Sequence, residues 1–150
     1  MISLRPWSKI SGMIVLLGIL LMLLVACGGG SVQATPAGGA AAFHTSAKTS
    51  DGRFLLQLSV NPNHTGVNTF TVGVQDASSG KPATDVQVRL STTTLDMDMG
   101  TEVVYLQSDG NGSYSASGGL SMSGRWRIGI QLTTSDAALH EATVMLYTSP

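Results

Sequence analysis

Residues Leu95-Asp96-Met97-Asp98-Met99-Gly100 place two thioethers one residue apart, each beside an aspartate. On extended backbone, alternate side chains take opposite faces, so Met97 and Met99 would share one face and the aspartates the other. Thioether sulfur is a soft ligand that selects Cu(I) over hard cations. Met122 lies in Leu120-Ser121-Met122-Ser123, and His64 in Asn61-Pro62-Asn63-His64-Thr65-Gly66. If the segments carrying them meet at one end of the fold, Met97, Met99, Met122 and His64 form a candidate Cu(I) site of three or four ligands. The same residues have a plainer use. Methionine fills gaps in cores, and a histidine in a polar turn caps backbone groups. His140 opens the last apolar run, His44 precedes the folded region, and Met145 alternates outward; none of the three is assigned a role.

Other chemistry finds little footing. Asp96-x-Asp98-x-Gly100 opens like a calcium loop, but the later oxygen ligands and terminal glutamate are missing at the required offsets. The chain has no Gly-x-Ser-x-Gly elbow, no phosphate loop and no His-Glu-x-x-His. Its three histidines do not have the spacing of a zinc triad. The expectation is a protein that is not an enzyme. Eight basic residues face nine acidic ones. Setting aside Arg5 and Lys9 near the N-terminus leaves six against nine, a net −3, which argues against a nucleic-acid binder with its basic face.

The single cysteine excludes a disulfide framework. Arg5 and Lys9 precede an uncharged apolar run from Gly12 to Ala26, and small residues follow it. That order is a secretory signal peptide, over residues 1–26. The run falls short of the about 20 apolar residues a membrane span needs. Leu24-Val25-Ala26-Cys27 resembles the lipobox of bacterial lipoproteins, which implies cleavage before Cys27 and acylation of its thiol. Two or more acyl chains anchor a protein lastingly, whereas one does not. The expected location is therefore the cell membrane, lipid-anchored through Cys27 and facing the extracytoplasmic side. Residues 27–50 are rich in Gly, Ala, Ser and Thr and read as an acylated cysteine followed by a flexible linker, roughly 25 Å in root-mean-square span.

Residues 51–150 then form one domain. Apolar residues alternate with polar ones, and the helical 3.6 period is absent. Phe54–Val60, Phe70–Val74, Val86–Leu90, Val104–Leu106, Tyr114–Ala116, Trp126–Leu132 and Ala142–Leu146 read as strands. Turn residues separate them, notably Ser79-Gly80-Lys81-Pro82 and Asp109-Gly110-Asn111-Gly112. This pattern predicts an all-β fold, an immunoglobulin-like β-sandwich of about seven antiparallel strands, with Trp126 at the centre of the core. A small, partly open barrel has the same periodicity.

The order of these pieces resembles YtkA-like domains. The matching segments are Asp51-Gly52, Val60-Asn61-Pro62, Gly66-Val67-Asn68-Thr69-Phe70-Thr71-Val72, Asp76 to Pro82, the strand around Val86 to Leu90, Asp109 to Tyr114, and Gly124-Arg125-Trp126-Arg127-Ile128. The resemblance implies a small sandwich module outside the cytoplasmic membrane, of a kind also found fused to copper-resistance membrane proteins. The function expected is thus a membrane-anchored lipoprotein that binds or transfers Cu(I), with a membrane protein in copper handling as its partner. The alternative is a metal-free interaction module that docks on a membrane transporter or an oxidase assembly partner.

Overall fold

The computed structural model describes residues 41–150. The leader, the Cys27 lipobox and the first part of the linker lie outside the described residues. Eight antiparallel strands follow in order: β1 (Phe43–Lys48), β2 (Phe54–Asn61), β3 (Gly66–Asp76), β4 (Val86–Thr94), β5 (Thr101–Gly110), β6 (Ser113–Leu120), β7 (Gly124–Thr134) and β8 (Leu139–Thr148). They form one continuous sheet in the order β1-β2-β3-β6-β5-β4-β7-β8.

The sheet turns over at β5. Its first half, Thr101–Leu106, pairs with β4, and its last residues, from Gln107, pair with β6. The register shifts between Ser108 and Gly110, the kind of irregularity that lets a strand change layers. One layer is then β1-β2-β3-β6 and the other β4-β7-β8, so the fold is a sandwich whose sheet is continuous at one corner. The two ends of the sheet also come close, and Ser50 N donates to the Glu141 carbonyl at 2.7 Å. Inward residues of both layers make a single core around Phe70, Leu56, Leu90, Tyr114, Ile128 and Leu132.

Three details differ from the sequence expectation. There are eight strands, and the additional one, β1, falls within the stretch read as linker. Its inward residues are Phe43, Thr45 and Ala47, only half-buried, so its alternation carries almost no apolar contrast. It is held by pairing with β2, from Phe43↔Val60 to Lys48↔Leu55. The folded domain therefore begins before residue 51. Trp126 is buried, but it lies at one end of the core, opposite Thr94 at the end of β4. The centre belongs to smaller side chains and to Phe70.

The turn after β1 joins the exposed Asp51 to two buried residues, Thr49 and His140. Thr49 Oγ1 donates to Asp51 Oδ1 at 2.6 Å and accepts from Phe54 N at 3.0 Å. The other oxygen of Asp51 pairs with Nδ1 of His140, whose ring is buried edge-on to Phe54. The Thr49 hydroxyl first, and His140 next, lower the Asp51 pKa from 3.8 to about 2. A depressed carboxylate contributes stability above its unfolded pKa, and that contribution disappears as pH falls through the folded value. Melting temperature is therefore expected to drop between pH 3.8 and about 2. In an Asp51→Asn variant, the melting temperature at neutral pH should be lower and the acid drop shallower. An unaltered acid limb, followed by circular dichroism, would remove Asp51 from the account.

Candidate functional site

Register fixes which loops share an end of the sandwich. Gly66 on β3 lies opposite Leu120 on β6, Thr94 on β4 opposite Trp126 on β7, and Gly124 opposite Thr148 on β8. His64 bridges to Ser149. Residues 62–65, 95–100 and 121–123 and the last two residues are consequently gathered at one end. That end carries Met97, Met99, Met122 and His64, all four of the residues singled out by type.

The methionine loop is rigid at its root. Arg125 donates to Asp96 three times: N to Oδ2 at 2.7 Å, Nε to Oδ1 at 2.9 Å and Nη2 to Oδ1 at 2.7 Å. The backbone bond from Arg125, then its guanidinium, lower the Asp96 pKa. The pair is solvent-exposed, so its value lies in geometry more than in stability. Leu95 N also donates to the Arg125 carbonyl at 2.8 Å. Gly124 completes the clamp: its φ is +129°, and Asp96 Oδ2 occupies the space a Cβ would take. With Asp96 committed to Arg125, the calcium-loop reading loses its first ligand.

Beyond this root the loop projects. Met97 and Met99 are each 58% exposed, as a loop site requires and a core-filling role does not. Met122 is intermediate. It packs against the core, its Sδ lies 3.8 Å from Thr94 Oγ1, and its carbonyl accepts from Trp126 Nε1 at 3.2 Å. One thioether thus sits at the mouth of the core while two stand in solvent.

His64 is shaped by Asn68, a buried residue that sequence reading did not single out. Asn68 Oδ1 accepts from Asn63 N at 2.8 Å and His64 N at 3.2 Å, and its Nδ2 donates to the His64 carbonyl at 2.8 Å. The capping chemistry of this turn therefore belongs to Asn68, and the His64 ring is not used for it. His64 Nδ1 is buried without a hydrogen-bond partner. His140 is at the opposite end, occupied by Asp51. His44 is exposed on the outer face of β1. Among the described residues, no three of His, Cys, Asp and Glu come together in a way that could hold a metal ion.

Eight antiparallel strands in two layers, with Met97, Met99 and Met122 in loops at one end, define a small β-sandwich module. The family model described as YtkA-like matches residues 46–131, and the chain belongs to that family. The match takes in His64, Met97, Met99 and Met122. No curated protein and no solved structure matches the chain.

Proposed function

We propose that this chain is a membrane-anchored, extracytoplasmic lipoprotein, acylated at Cys27, whose YtkA-like domain binds or transfers Cu(I) without catalysing a reaction. Met97 and Met99 are the primary donors, with Met122 and His64, on loops at the same end, as further donors. The observation that carries the reading is the pair of exposed thioethers on a loop whose base is fastened by Asp96 and Arg125. Such an arrangement keeps soft ligands accessible and in a fixed place. Membership of the YtkA-like family supports the extracytoplasmic setting.

Anaerobic titration with Cu(I) against a chromophoric chelator tests the site. Leucine matches methionine in size and both positions are exposed, so Met97→Leu with Met99→Leu should leave folding intact. The double variant is expected to bind Cu(I) about a hundredfold more weakly, equivalent to about 2.7 kcal/mol. Unchanged affinity would take both residues out of the site.

A second reading, a metal-free interaction module, draws on a different observation. Val103 and Tyr105 are exposed on β5, and along Thr101–Leu106 that strand has β4 as its only paired neighbour among the described residues. A partner segment adding to this edge would use the free backbone groups. Crosslinking in membranes through position 105, set against copper titration of the same preparation, separates the two readings.

A further inference from the structure

The chain enters the sandwich at the methionine end. Phe43, the first residue of β1, lies opposite Val60, one residue before the end of β2 and beside the turn that carries His64. Residues 28–42 separate it from Cys27, and they reach at most about 50 Å whatever their conformation. The longest strands have 11 residues, about 35 Å. Turning the far end toward a membrane would lift the attachment point by that length and use most of the reach. Bringing the methionine end down uses none of it.

The side chains differ between the two ends in the same sense. Val67, outward on β3, is 72% exposed and Tyr147, outward on β8 in the other layer, 65%, so they stand on the two outer faces of the sandwich at the end that carries exposed Met97 and Met99; Met145 is exposed near it. At the other end Leu139 is the one exposed large apolar side chain among the described residues. That other end carries Asp51, Asp76, Asp85, Asp109 and Asp136 in or beside its turns. Carboxylates resist transfer to a lipid interface, whereas valine, methionine and tyrosine favour it; the methionine end has three carboxylates, Asp96, Asp98 and Glu102, and Asp96 is paired with Arg125. At the methionine end Arg125 and Arg127 are offset by Asp96, Asp98 and Glu102. The attraction is therefore apolar and does not depend on anionic lipid.

We infer that the methionine end is a lipid-docking surface: Val67, Met97, Met99 and Tyr147 enter the headgroup region of the membrane to which the chain is tethered. This rests on acylation of Cys27. It places the thioether loop at the bilayer surface, where a membrane-embedded carrier of soft metal ions can reach it.

The test uses the full chain, exported and purified from membranes, then reconstituted in phosphatidylcholine vesicles containing headgroup-nitroxide lipid. With Cys27 acylated, Val67→Cys and Lys81→Cys each supply one thiol for a fluorophore, at opposite ends of the sandwich and on exposed side chains. Docking predicts strong quenching at position 67 and none above background at position 81. Equal quenching at both, stronger quenching at 81, or none at either overturns the docking. Intact mass of the same preparation reports the anchor separately. An unmodified Cys27 removes the anchoring reading and this inference with it, while an acylated chain without quenching at 67 removes the docking alone.

Discussion

Gly112→Ala is expected to destabilise the domain by roughly 3 kcal/mol, combining a left-handed backbone penalty with overpacking against main chain. Gly112 has φ +75°, and an added Cβ would stand 2.7 Å from the Val74 carbonyl oxygen and 2.8 Å from Pro82 Cβ. Neither neighbour is the free end of a flexible side chain. Val74 N donates to the Gly112 carbonyl at 2.7 Å, Ala83 N donates to the Val74 carbonyl at 2.9 Å, and Tyr114 Oη donates to the Ala83 carbonyl at 2.9 Å. The added methyl would therefore push apart β3, the β5–β6 turn and the segment leading to β4. Gly80→Ala is the control. Its φ is +68°, but nothing lies within 4 Å of the added atom, so it should cost only the backbone term, about 1 kcal/mol. Urea unfolding of the two variants compares them directly. Equal costs would mean that the close approach at Gly112 contributes nothing.

This junction also shows where sequence reading works and where it stops. Asp109-Gly110-Asn111-Gly112 announces a hairpin with positive φ, and Gly110, Asn111 and Gly112 all have it. The strands β2, β3, β4, β7 and β8 were legible because one face of each is consistently apolar. β1 was not, because Thr45 and Ala47 give its inner face little contrast with His44 and Ser46. β5 was only half legible: Leu106 is its one buried apolar residue, and its role is to change layers. The candidate site divides along the same line. Residue type exposed Met97 and Met99, since few other side chains offer soft sulfur. The pairs that fasten the loops at either end, Asp96–Arg125 under the methionines and Asp51–His140 at the opposite end, act over distance. Asp96 meets Arg125 across 29 positions, and Asp51 meets His140 across 89. Nothing in local spacing signals such pairs, and Asp96 in its own neighbourhood looks like the start of a cation loop. Asn68 was hidden for another reason. Within a β-strand pattern a buried asparagine reads as an interruption, and its purpose appears only when the turn at 62–65 folds back on it.

Trp126→Ala should cost about 3–5 kcal/mol, the range for removing a buried aromatic side chain. The indole closes the core at the methionine end. It is 4% exposed, faces Thr94 in register and donates to the Met122 carbonyl. Thr94 in turn contacts the Met122 sulfur and accepts from Asp96 N at 3.4 Å. Core packing and loop placement thus share the same residues, and losing the indole should loosen Met122 together with the root of the 95–100 loop. Trp126→Phe separates the two effects. Phenylalanine keeps much of the buried surface but cannot donate to Met122, so the hydrogen-bond part should be about 1 kcal/mol. If the indole positions Met122 for metal, the phenylalanine variant should unfold cooperatively at slightly lower denaturant and bind Cu(I) more weakly than its stability loss accounts for. Wild-type Cu(I) affinity in that variant would show that Met122 packs the core mouth and takes no part in the proposed Cu(I) site. A stability loss well under 3 kcal/mol in Trp126→Ala would show instead that neighbouring side chains collapse into the space, and that the core does not depend on its aromatic roof.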